Sequence, residues 1–308
     1  GSEQAGNAII TTDTYSKACA TEITLGGKKV RFGAIAKGSG MIQPNMATML
    51  CFITTDAAID RKLLQAALSE VVEVSFNMIS IDGDMSTNDM AIVLANGAAG
   101  NPEITSKDAD YETFKQTLQA ICQGLAQRIA SDGEGATKFL TVHVKGTKSF
   151  ADAKTIGMSV AKSPLVKTAF FGEDPNWGRV ICAVGYAGVP LNPQQIIVKF
   201  GGIPVYANGV GAAFDEEALR EVMAQHDIII DIDMGDGDGE ARGRPRDPLR
   251  LRPPRPRAAR GAARERRRPL ERVGQARRPP DAGDPVRRPR DSPPPGREGA
   301  RPRRVPRP

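Results

Sequence analysis

Apolar and polar positions along the chain alternate between helix-like and strand-like stretches. Ile59, Leu63, Leu64, Ala67, Leu68, Val71 and Val72 recur at the spacing of one helix face, and Asp60 is placed to cap it. Tyr111, Phe114, Leu118, Ile121, Cys122, Leu125 and Ile129 repeat the pattern over a longer span. That span ends at the turn signal Ser131-Asp132-Gly133. Residues 215–225 give a third helix candidate. Residues 48–54 (TMLCFIT) form a short, mostly apolar run that reads as a buried strand. Residues 91–94, 180–184, 196–200 and 228–232 are further strand candidates. Leu140, Val142 and Val144 alternate with polar partners, as a half-buried strand does. No internal repeat is visible. Helices interspersed with strands in this way predict an α+β fold with sheets packed under helices.

Charge divides the chain in two. Residues 241–308 hold 23 Arg, no Lys and 7 acidic residues, a net +16, together with 16 of the 23 Pro. The other 240 residues therefore carry 19 basic and 29 acidic side chains, a net −10. A segment so poor in large apolar groups cannot offset its ordering entropy, so 241–308 is expected to be a disordered tail. Its abrupt change of idiom fits an out-of-frame C-terminus. The functional alternative is a basic arm that meets nucleic acid non-specifically through phosphates, although no aromatic ring is present to stack on bases. Residues 1–240 are enough for a buried core.

The remaining composition narrows the function classes. No run of 18 apolar residues occurs, so no membrane span is expected. The N-terminus shows no basic region followed by an apolar stretch, so no secretory signal is expected. Cys19, Cys51, Cys122 and Cys182 are scattered and form no CxxC; reduced core thiols in a cytoplasmic protein are the natural reading. His143 and His226 are the two histidines, which leaves a His-rich zinc site or a His-dependent triad little to draw on. The acidic run from Asp231 to Glu240 has a calcium-loop flavour. A loop opening at Asp231 would need ligands where Gly235 and Arg242 stand, so no metal is expected. The single tryptophan, Trp177, fits a packed loop anchor or a wall of a substrate site.

The segment KGSGMIQPNMATML, residues 37–50, combines a glycine-rich loop with a strand and places Thr48 at their junction. Spacing alone allows a strand-initiating Thr. It also allows an N-terminal nucleophile. If the Ala47–Thr48 bond is cut, Thr48 gains a free α-amino group with an unperturbed pKa of about 7.7–8.0, able to take the hydroxyl proton without any histidine.

This segment resembles the self-cleavage motif of the ornithine acetyltransferase family, the bifunctional glutamate N-acetyltransferases of arginine biosynthesis. Further segments match in order: AIITTDT (8–14), SIDGDMSTND (80–89), ASDGEGATK (130–138), SPLVKTAFFGEDPNWGR (163–179) and GDGDGEA (235–241). The resemblance implies the αββα-layered sandwich shared with self-processing aminopeptidases. It also implies cleavage into α and β chains, here 1–47 and 48–240, assembled as a heterotetramer. Thr48 would be the nucleophile, with Thr11, Lys37 and Glu134 binding substrate. Taken alone, Thr11 reads equally well as a turn residue, Lys37 as a solvated charge and Glu134 as a residue after a helix end. The substrates implied are N²-acetylornithine and glutamate, with no bound cofactor and acetyl-CoA as a possible second acetyl donor. Members carry a Thr-Gly oxyanion pair upstream of the matched stretch and a final strand with substrate contacts after it, so weak or absent transfer is expected from residues 1–240 alone. The competing classes are a self-processing aminopeptidase and a non-enzymatic polyanion-binding protein.

Overall fold

The computed structural model describes residues 1–43 and 49–242, which fall within one compact unit. The architecture is α+β, two sheets each backed by helices. After a short helix α1 (Ser2–Ala8), strands β1 (Lys17–Leu25) and β2 (Lys28–Lys37) form an antiparallel hairpin. Its two-residue turn, Gly26-Gly27, has both φ values positive, +50° and +74°, a conformation that suits glycine and matches the twist of the strands.

Strand β3 (Leu50–Thr55) pairs antiparallel with β2, with Lys37 opposite Leu50. Helix α2 (Arg61–Glu73) then crosses over, and β4 (Met90–Ala95) pairs parallel with β3. The sheet order is β1-β2-β3-β4. Asp60 caps α2 through the amides of Lys62 and Leu63. Helix α3 (Ala109–Ser131) lays Phe114, Leu118, Ile121, Cys122, Leu125 and Ile129 on the sheet, against Cys19, Phe32, Ala34, Ala36, Cys51 and Ile53. Each fully buried large side chain contributes about 1.5–3 kcal/mol. Cys19, Cys51 and Cys122 are buried thiols and Cys182 is an exposed one. Burial pushes the Cys19 thiol up to about 11.

The second half begins with β5 (Phe139–Thr147) and continues through α4 (Phe150–Lys162), α5 (Pro164–Phe171) and α6 (Trp177–Gly185). Strands β6 (Ile197–Phe200), β7 (Ile203–Ala207) and β8 (Val210–Gly211), helix α7 (Glu216–Ala224), and strands β9 (Asp227–Asp233) and β10 (Gly239–Arg242) complete it. The sheet order is β10-β5-β9-β6-β7-β8, with β5 and β9 parallel. Val144, Val198, Phe200, Ile228, Ile230 and Ile232 face a core completed by Ile156, Val160, Phe170, Val180, Val184 and Leu219. The opposite face is polar, with His143 between Asp231 and Glu240.

Two expectations change. Residues 180–184 are helical, inside α6, because Asn176 caps the Arg179 amide and the apolar run supplies one helix face. The boundary at residue 240 falls within β10, where Ala241 is 4% exposed and belongs to the second core. Trp177 starts α6 and packs on the Tyr206 ring at 5.3 Å, a structural anchor in that core.

Candidate active site

Four of the motif segments meet at the open end of the first sheet. Pairing of Lys37 with Leu50 ties together the two ends of the connection that carries Ala47 and Thr48. Those two residues, the proposed cleavage pair, lie outside the described residues, as does most of the Arg-rich segment, 243–308.

Lys37 ends β2 and is 9% exposed. Its Nζ donates to Thr11 Oγ1 at 3.3 Å, so the Thr11 and Lys37 positions stand together. Glu134 follows the end of α3 and arrives from the other side. Its amide donates to the Ser39 carbonyl at 2.8 Å, and its carboxylate lies so near Gly40 that a Cβ there would stand 2.9 Å from Oε1. Thr11, Lys37 and Glu134 are thus gathered on residues 37–40 of one loop. An ammonium and a carboxylate on either side of a loop suit a ligand bearing both charges, as an α-amino acid does.

Beneath them is a buried ion cluster that the sequence did not reveal. Lys17 is 0% exposed, and its Nζ sits 2.6 Å from both Asp13 Oδ1 and Asp132 Oδ2. Asp13 Oδ1 also accepts the Gly38 amide at 2.7 Å. Asp132 accepts both the amide and the hydroxyl of Thr14, and its carbonyl accepts Ser39 Oγ at 2.6 Å. Burial opposes ionisation of both carboxyls. The Gly38 amide and Lys17 outweigh it for Asp13, and Lys17 and Thr14 for Asp132, so both are held below the usual carboxylate range. The cluster welds three segments, 11–14, 37–39 and 131–134, each of which carries one expected substrate residue.

The 80–89 segment braces the rest of the loop. Asp82 accepts the amides of Met41 at 2.5 Å and Ile42 at 3.1 Å. Asp89 Oδ1 accepts the Met49 amide at 2.6 Å. From the second half, Lys167 on α5 donates to the Ile81 carbonyl at 2.6 Å; burial lowers its pKa, with Asp82 opposing. A cavity of about 280 Å³ opens beside these contacts, lined by Ile79, Ile81, Glu134, Leu140, Lys167 and Phe170 among others. Asp13, Asp82, Asp89 and Asp132 all lie inside the matched motifs, which was the signal available for them; Lys17 carried none.

The ArgJ family model matches residues 1–247. The "Arginine biosynthesis bifunctional protein ArgJ" of Symbiobacterium thermophilum is 49% identical over 229 residues, covering 74% of this chain and 57% of that protein. The protein of the same name from Listeria monocytogenes is 48% identical over 236 residues, covering 75% and 59%. The chain therefore spans less than two thirds of the length of these relatives. A crystal structure titled as the same bifunctional protein from Bacillus halodurans superposes with a TM-score of 0.59 at 39% identity, over 61% of this chain and 89% of that one.

Proposed function

The chain belongs to the ArgJ family, and on that footing we propose that it moves an acetyl group from N²-acetylornithine to glutamate through Thr48. The observation that carries the reading is the convergence of Thr11, Lys37 and Glu134 on the loop that leads to Thr48.

Activation comes first. Thr48 Oγ1 attacks the Ala47 carbonyl carbon, the C–N bond breaks, and the nitrogen takes up the hydroxyl proton. Water then hydrolyses the resulting ester and leaves Thr48 as a new N-terminus. In turnover the Thr48 amine accepts the hydroxyl proton as Oγ1 attacks the acetyl carbonyl. The ornithine α-amine leaves with that proton, and the acetyl group rests on Thr48 as an ester. The glutamate amine attacks the ester, and its proton returns to Oγ1. Lys37 holds the substrate carboxylate and Glu134 its free ammonium. The cut chains form an α/β heterotetramer, and acetyl-CoA is an alternative donor.

Intact-mass measurement tests the reading. The full chain is expected as two pieces divided before Thr48, and N²-acetylornithine should add one acetyl group to the second piece. Thr48→Ala is expected to stay whole. Identical cutting of wild type and Thr48→Ala, or no acetyl adduct, would overturn the assignment.

A further inference from the structure

The cavity beside Glu134 has apolar walls and one cation that faces no carboxylate. Met78, Ile79, Ile81, Leu140 and Phe170 supply much of the apolar lining. The volume of about 280 Å³ falls at the small end of ligand pockets. Lys138, Lys154 and Lys167 are the cationic side chains of the lining. Lys138 pairs with Glu173 at 2.7 Å, and Lys154 pairs with Glu73. Lys167 has no carboxylate within ion-pair distance among the described residues; its Nζ donates to the Ile81 carbonyl instead.

A second group in the same lining also lacks a partner. The Oγ of Ser80 is buried and has no hydrogen-bond partner among the described residues. A buried polar atom left unpaired costs stability and is uncommon in folded proteins. Ser80 is bonded to Ile81, whose carbonyl holds Lys167, so the ammonium and the unused hydroxyl belong to one part of the wall. Burial lowers the Lys167 pKa against the field of Asp82, and Asp82 already accepts the amides of Met41, Ile42 and Asp84. Glu134, the acidic residue of the lining, has its carboxylate against Gly40.

We propose that this cavity binds a small monocarboxylate with an apolar body: the carboxylate accepts hydrogen bonds from Lys167 Nζ and Ser80 Oγ, and the hydrocarbon part lies among Ile79, Leu140 and Phe170. Such a ligand supplies the counter-charge that Lys167 lacks and the acceptor that Ser80 Oγ lacks. Its apolar body replaces solvent against the walls, which favours association in proportion to the area covered. Binding is non-covalent. It asks nothing of Thr48, and its test reads affinity and not turnover.

The test is calorimetric titration of the full chain with octanoate. Binding is expected to weaken about fourfold for each methylene removed on going to hexanoate. Lys167→Met is expected to bind octanoate about tenfold more weakly or worse, the size of effect a hydrogen-bonded charge exerts. 1-Octanol, which keeps the apolar body and loses the charge, is expected to show a similar deficit against wild type. Ser80→Ala should weaken octanoate by a smaller factor, and unchanged affinity there would overturn the hydroxyl contact. No binding of octanoate at millimolar concentration would overturn the proposal. Equal affinity of wild type and Lys167→Met would also overturn it, by placing octanoate elsewhere on the chain. If Lys167→Met fails to fold, the wild-type comparison decides: octanol bound as tightly as octanoate overturns the charge recognition, and octanoate preferred about tenfold supports it.

Discussion

Lys17 is the side chain on which most of the site's geometry depends. Its ammonium is fully buried between two carboxylates, and removing one partner of such a group strands charge in a place water cannot reach. Lys17→Met is expected to cost about 3–5 kcal/mol, measured by urea denaturation; a cost under about 1 kcal/mol would show that water reaches the carboxylates. The carboxyls also set an acid limb. Both have pKa values lowered by folding, so the stability they add is complete above the unfolded aspartate value, about 3.9, and is lost as pH falls through the lower folded values. Asp132→Asn is expected to flatten that limb, its stability changing less than wild type's between about pH 4 and pH 2. Parallel acid curves for the two proteins would show that the lowered pKa of Asp132 does not contribute.

At the scale of elements, legibility followed side-chain size. Helices α2 and α3 were readable because large apolar residues mark one face of each over several turns. Strands β1 and β2 were not, because Cys19, Ala34 and Ala36 are small inward residues that leave room for α3 and weaken the alternation. The Gly26-Gly27 pair between Leu25 and Lys28 was the local signal that could have found them. Helix α6 was misread as a strand since a five-residue apolar run has no visible period. Its start is settled by Asn176, whose side chain accepts the Arg179 amide at 3.2 Å. Asn176→Ala is expected to lower the stability of the second half by about 1 kcal/mol, seen as a shifted urea midpoint; an unchanged midpoint would mean that packing alone holds α6. In the site, Thr11, Lys37 and Glu134 came from motif likeness. The ion cluster did not, since Lys17 and Asp132 are 115 residues apart and each reads locally as a solvated charge.

The described residues join two helix-backed sheets, each with its own core, through polar links, Met78 packed on the second core, and the cavity beside Glu134. Lys167 reaches Ile81, and Lys154 pairs with Glu73, across the same join. Among the described residues no helix is long and apolar enough to cross a membrane. The described residues end at β10, which pairs with β5 and inserts Ala241 into the second core. Two truncations separate that strand from the Arg-rich segment. A chain ending at Arg242 is expected to melt with the parent, because residues 243–308 are rich in Arg and Pro and poor in groups worth burying. A chain ending at Asp238 loses the β10 ladder and leaves β5 as an unpaired edge. Its midpoint should drop by roughly 2–4 °C for each kcal/mol lost. Both truncations should abolish a loose polyanion binding that weakens steeply with salt in the full chain, since that binding rests on counterion release from 243–308. A lower melting point on ending the chain at Arg242 would instead mean that the Arg-rich segment packs on the fold, and polyanion binding that survives both truncations would place the basic surface within residues 1–238.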